Sequence, residues 1–179
     1  STAQHLTDGK ASTESGNRMN LETFVQRNYM EKILCDANRR FRDMSNGQFE
    51  LKLINVEDAG EGKNKGLDFE VYSIVTGKTR SVNTLSGGES FMAALSLALG
   101  MADQIQAATA AIHLDVMFID EGFGSLSDNA RNEAVNILKE MAGKQRQIGI
   151  ISHVSELKDE IENQLIVKKD DRGSHISWR

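Results

Sequence analysis

The chain has 179 residues, 39% of them hydrophobic and 26% charged, with a formal net charge of −5; it is long enough for one domain with a buried core, and the charge excludes a general attraction to nucleic acid, so any such contact must be local. A single cysteine, Cys35, excludes an intrachain disulfide and points to a reducing cytoplasmic compartment. Asp103 and Gln104 interrupt the longest apolar run before the ~20 residues that a membrane span requires, no signal peptide opens the sequence, and the polar start at Ser1 reads as a piece of something longer.

Residues 1–18 carry Gly9, Ser12, Ser15 and Gly16 and read as a flexible lead. From Asn20 to Met44, Leu21, Phe24, Val25, Ile33, Leu34, Ala37, Phe41 and Met44 recur at helical steps. Arg27, Lys32, Arg39, Arg40 and Arg42 line the other face, and Asn46-Gly47 is a stop. That basic face is either solvated or a contact for DNA or a partner protein. Phe49, Leu51 and Leu53, then Leu67, Phe69 and Val71, alternate as in a half-exposed antiparallel hairpin around the glycine-rich loop 57–66.

Thr84-Leu85-Ser86-Gly87-Gly88-Glu89-Ser90 follows, directly ahead of a helix-prone stretch from Phe91 to about Ile112. Glycines admit close backbone approach, and a helix start offers unpaired N–H groups and positive dipole, so this turn suits a phosphate. Val116-Met117-Phe118-Ile119 reads as a strand buried on both faces and ends in Asp120-Glu121. A helix over 128–142 presents Ala130, Ala134, Val135, Leu138 and Met141 on one side, Gly143 follows it, and the strand 147–151 ends in Ser152-His153. Strand, helix and strand make a parallel crossover whose C-terminal edge is where such sheets bind ligands. The tail, with Leu165-Ile166-Val167 and Ile176-Ser177-Trp178, reads as a closing hairpin in which Trp178 is a packing anchor.

Adjacent acidic residues after a strand are common helix starts, and a histidine at a strand end is commonly structural. Asp120 and Glu121 nevertheless point into different surroundings, so one can take a hydrated Mg²⁺ while the other orients a water, and His153 on the neighbouring strand can reach a phosphate at the same edge. His113 is a packed or surface residue, Met92, Met101 and Met117 belong to a core, and His5, His175 and Cys35 lack metal-ligand spacing.

The order of these segments resembles the ABC-type ATPases: Leu85 to Glu89 is similar to their signature motif, Val116 to Glu121 to Walker B, Gly124 to Asp128 to the D-loop, and Ser152-His153 to the switch histidine. Asp120-Glu121-Gly122-Phe123-Gly124, with Thr84 to Phe91 and Ile151 to Val154, resembles the C-terminal ATPase lobe of the SbcC-type exonuclease subunits, SMC-like members of that superfamily. Phe24 to Arg27, Arg39 to Phe41 and Met44 to Gly47 resemble the base of their coiled coil, and the likeness spans about residues 20–179. It implies an α/β fold: the C-terminal half-head (lobe II), with a mixed, mainly parallel sheet, flanking helices, a peripheral β-hairpin and an N-terminal helix at the coiled-coil base. The division is a lead over 1–19, that helix over 20–46 and the lobe over 47–179.

The resemblance also implies roles. Ser86, Gly87 and Gly88 contact the γ-phosphate of ATP held by another head, Glu89 is a positioning residue near the nucleotide, Asp120 holds Mg²⁺ through water, Glu121 polarises the attacking water and His153 senses the γ-phosphate. The pattern G-x-x-x-x-G-K-[ST] is absent from the chain. The implied partners are therefore an N-terminal Walker A lobe of the same protein, a second head in a homodimer, an SbcD-like metallophosphoesterase nuclease and, in the assembled complex, DNA. In the family aspartate directly follows the D-loop leucine, whereas here Ser127 follows Leu126, which leaves Asp128 as a helix N-cap. The same motifs admit an SMC-type chromosome-structuring head, or a transporter's nucleotide-binding protein. The transporter reading is disfavoured by Gly122, where such proteins have proline, and by the missing Walker A.

Overall fold

The computed structural model describes residues 10–12, 18–55, 67–108, 114–142 and 147–179. His5, His113, Gly143 and the loop 57–66 lie outside the described residues. Within the stretch read as a lead, β1 (Lys10–Ser12) pairs antiparallel with β2 (Arg18–Asn20). Helix α1 (Leu21–Met44) follows the apolar period, but its large apolar residues are buried only in the C-terminal half: Ile33, Leu34, Ala37, Phe41 and Met44 are buried, while Leu21, Phe24, Val25 and Tyr29 are exposed. It ends as its sequence predicts, with Asn46 and Gly47 at φ 52° and 74° and the Gly47 N–H on the Arg42 carbonyl at 2.7 Å.

Strands β3 (Phe49–Leu53) and β4 (Phe69–Ser73) form the expected antiparallel pair, with Leu51 opposite Val71. A third strand, β5 (Lys78–Ser81), adds to the outer edge of β4. Its Lys-Thr-Arg-Ser sequence carries no apolar alternation, which is why periodicity does not predict it. Leu51, Leu53 and Val71 join the core against α1. Asn38 of α1 extends the sheet, since its side chain donates to the Leu51 carbonyl at 2.9 Å and accepts from the Leu51 N–H at 2.7 Å.

The core helix α2 (Gly87–Ala108) buries Met92, Ala93, Leu95, Leu99 and Ala102. Its contact with α1 is close because Gly100 lacks a Cβ, which would lie 2.8 Å from the Ile33 carbonyl oxygen. By length and hydropathy α2 is apolar enough to cross a membrane, contrary to the expectation drawn from Asp103 and Gln104; here much of its apolar surface faces protein. Those two residues bind α1 instead: Asp103 pairs with Arg40 at 2.5 Å and Gln104 donates to Asp36 at 2.7 Å. The basic face of α1 needs a matching correction. Arg40 is only 8% exposed and pairs with Asp103, and Arg42 and Arg27 pair with Glu50 and Glu31, so three of that face's five cations are engaged within the chain.

Strands β6 (Val116–Asp120) and β7 (Gln147–Ile151) run parallel across α3 (Asp128–Ala142), which buries the five predicted residues. This is the sole parallel pair among the described residues; the other sheets are antiparallel. Burial on both faces is not what the strands show. Ile119 is buried, whereas Phe118 is 72% exposed and Val116 and Ile151 are more than half exposed, because α3 covers one face and no described element covers the other. After the short helix α4 (Leu157–Glu160), the hairpin of β8 (Leu165–Asp170) and β9 (Gly173–Trp178) repeats the pattern. Leu165 opposes Trp178 and Val167 opposes Ile176, and all four are exposed. Trp178, 77% exposed, is not a packing anchor among the described residues.

Candidate functional site

The turn before α2 is built by reciprocal capping. The Ser86 hydroxyl accepts from the Glu89 N–H at 3.3 Å, and the Glu89 carboxylate accepts from the Ser86 N–H at 2.7 Å. Two of the amides at the helix start are thereby satisfied, which leaves the N–H groups of Gly87 and Gly88 to face an acceptor from outside. Glu89 is thus turned back onto its own loop. Partial burial raises its pKa, but the Ser86 hydrogen bonds and the Arg80 guanidinium outweigh that and hold the carboxyl below its ordinary value. Arg80 pairs with Glu89 at 3.2 Å and also donates to the Thr84 carbonyl at 2.7 Å. The serine-x-x-glutamate spacing is a readable signal for the capping; Arg80, on the strand that periodicity misses, carries none.

Gly88 is required by packing, since a Cβ there would lie 2.6 Å from the Ser125 carbonyl oxygen. The turn therefore rests on the short 3₁₀ segment Phe123–Ser125 that follows the acidic pair. Phe123 is fully buried and meets Phe91 of α2 edge-on at 5.0 Å, while a side chain at Gly122 (φ 96°) would collide with the Phe91 ring. Gly122-Phe123 thus locks the end of β6 to the first turns of α2.

Glu121 has φ 59°, a left-handed conformation that a non-glycine residue holds at a cost of roughly 1–2 kcal/mol. Its N–H continues the ladder to Ile151 at 2.9 Å, and its carboxylate meets His153 Nδ1 at 2.9 Å, with the imidazole open to solvent. Val154 N–H donates to the Ser152 hydroxyl at 3.1 Å and fixes the turn that presents His153. Asp120 is exposed at the same edge. The structure brings Glu121 and His153 together and seats Gly87 and Gly88 against Ser125. Among the described residues no hydrogen bond or ion pair joins Ser86 or Glu89 to Asp120, Glu121 or His153. Ser127, rather than Asp128, caps α3: its hydroxyl accepts from Ala130 at 3.4 Å, while Asp128 pairs with Arg131.

No group of three or more His, Cys, Asp or Glu residues able to hold a metal ion occurs among the described residues. The donor set still fits Mg²⁺, which keeps most of its waters and takes one or two carboxylates beside phosphate oxygens. Asp120, exposed at the strand edge beside Glu121, supplies one such oxygen donor.

Residues 63–140 match the family described as SbcC/RAD50-like, Walker B motif. The SbcC component of the SbcCD nuclease of Lactococcus lactis (strain IL1403) is 42% identical over 166 residues, covering 90% of this chain and 15% of its own length. The corresponding protein of Vibrio cholerae is 44% identical over 167 residues, covering 93% and 16%. The chain is similar to the SbcC proteins over most of its own length. It spans about one sixth of the length of these SbcC relatives. Solved structures show the fold: a chain from a study of ATP-driven dimerization and DNA-stimulated activation of SMC ATPases superposes with a TM-score of 0.66 at 19% identity, covering 88% of this chain and 89% of that one. An SMC head bound to the C-terminal winged-helix domain of ScpA gives 0.66 at 21%, covering 87% and 45%. The chain accordingly has the fold of an SMC-type ATPase head, and its sequence likeness lies with the SbcC proteins rather than the SMC heads.

Proposed function

We propose that this chain is the C-terminal lobe of an SbcC-type ATPase that acts in DNA double-strand break repair, working in the cytoplasm as half of an intermolecular nucleotide site. The observation that carries this reading is the division of labour within the chain. A capped helix start presents Gly87 and Gly88 amides, a separate strand edge carries Asp120, Glu121 and His153, and no Walker A loop occurs in the sequence to hold the phosphates between them.

Mg²⁺-ATP supplies the phosphoryl group and the charge that the site is built to balance. Asp120 would hold the metal through its waters. Glu121, strained at the end of β6, orients and polarises the attacking water, and His153 beside it ties that carboxylate to the γ-phosphate position. Across the dimer, the Ser86 hydroxyl and the Gly87 and Gly88 N–H groups cap the phosphate bound by the other head. The exposed faces of β6–β7 and β8–β9 fit a lobe that buries apolar surface, here the N-terminal Walker A lobe of the same protein. Closure of the two heads then regulates an SbcD-like metallophosphoesterase nuclease acting on DNA ends.

The chain alone is expected not to hydrolyse ATP, and adding its N-terminal lobe is expected to restore Mg²⁺-dependent hydrolysis. Glu121→Gln in the assembled protein should lower kcat by at least about two orders of magnitude and trap an ATP-bound dimer, read by steady-state kinetics and sedimentation. Undiminished hydrolysis in that variant would overturn the assignment of Glu121.

A further inference from the structure

We infer that Arg80 is a positioning residue that holds the Ser86–Glu89 turn in its phosphate-facing geometry; the inference rests on the reading of that turn given above. One guanidinium grips the loop at both ends. Nη1 donates to the Thr84 carbonyl at 2.7 Å and to the Thr84 hydroxyl at 3.1 Å, and Nη2 donates to Glu89 Oε1 at 3.2 Å. The Thr84 hydroxyl in turn donates to the Ser81 carbonyl at 2.7 Å, so the fork closes a ring of contacts from β5 to the helix start. The other Glu89 oxygen, Oε2, receives the Ser86 N–H at 2.7 Å. Glu89 therefore bridges Arg80 to the amide that opens the turn, and Arg80 acts on Ser86, Gly87 and Gly88 through it.

The arrangement has an electrostatic consequence. A carboxylate three residues from a phosphate-capping serine would repel that phosphate if it were uncompensated and free to swing. Arg80 both balances the charge and fixes the carboxylate on the Ser86 N–H. The guanidinium is itself held from a second side, lying 5.3 Å from the centroid of the Phe49 ring, which stacks on Phe41 of α1 at 6.1 Å. A planar fork on an aromatic face is arginine chemistry; lysine can pair with Glu89 but cannot also span Thr84.

The test is made in the full-length protein that carries both lobes, comparing wild type, Arg80→Ala and Arg80→Lys by amide hydrogen exchange without nucleotide and by ATP-dependent head association. Loss of a charge-assisted contact predicts that in Arg80→Ala the amides of Ser86, Glu89 and Ser90 exchange on the order of tenfold faster while those of α3 are unchanged, that association weakens on the order of tenfold, and that Arg80→Lys lies between. Weakened association with unchanged exchange would mean that Arg80 touches the phosphate itself, and would overturn the positioning role. Faster exchange spread through α3 would also overturn it, by showing a general structural role, as would an Arg80→Ala protein that behaves like wild type in both measurements. Failure of the wild-type heads to associate with ATP would instead strike the functional reading, and the exchange measurement would still decide whether Arg80 holds the turn.

Discussion

At Ser86 and Glu89 the two hydrogen bonds that close the turn run in opposite directions, so neither side chain can be altered without releasing an amide of the other's backbone. Glu89 makes this dependent on pH. Its folded pKa lies below the ordinary 4.5, so its contribution to stability is complete above the unfolded value and is lost as pH falls through the folded one. Glu89→Gln is expected to unfold at lower denaturant than wild type at pH 7, by on the order of 1 kcal/mol, with the gap closing below pH ~4.5. Urea titrations of both proteins between about pH 7 and 3 measure it, and a gap that stayed constant would show that the carboxylate's charge contributes nothing. The spacing that makes this cap is visible in the sequence. The Arg80 contact that completes it is not, and shows only in the fold. Ser127 is a similar case, because two consecutive residues of N-cap type cannot be told apart until one hydroxyl is seen to accept the Ala130 N–H.

Elements whose apolar residues meet a partner inside the chain are legible in detail. Helix α3 has the bounds and the five buried residues that its period predicts, and β3 and β4 pair antiparallel as their alternation predicts. Prediction weakens where the partner is polar or missing. Strand β5 is held by hydrogen bonds to β4 rather than by an apolar face, so no alternation marks it. The run from Val116 to Ile119 announces burial correctly on the α3 side alone. The α1–α2 contact turns on a single missing Cβ. Gly100→Ala would press a methyl against the Ile33 carbonyl and the Ala37 backbone, and a destabilisation of about 1–3 kcal/mol is expected from overpacking of this kind. Thermal and denaturant unfolding check this; helix propensity alone would make the same substitution stabilising by about 1 kcal/mol, so the two effects differ in sign.

For the whole molecule, the constraint is that its helix-start N–H donors and its apolar surface both lack a counterpart among the described residues. Phe118, Ile151, Val167, Ile176 and Trp178 lie exposed, and the capped turn leaves the Gly87 and Gly88 N–H groups for an anion from outside. Both incomplete features fit a half-head that becomes a nucleotide site only in an assembly. The missing Walker A pattern is the sequence feature that supports this proposal, whereas the open faces of β6–β9 show only in the fold, since hydrophobicity does not say where the covering atoms reside. The most direct test is ATP-dependent association of the assembled heads carrying Ser86→Arg, followed by analytical ultracentrifugation with circular dichroism as the check on folding. The account predicts a folded protein that stays monomeric with Mg²⁺-ATP under conditions where the wild type dimerises. A folded Ser86→Arg protein that dimerises as the wild type does would contradict it.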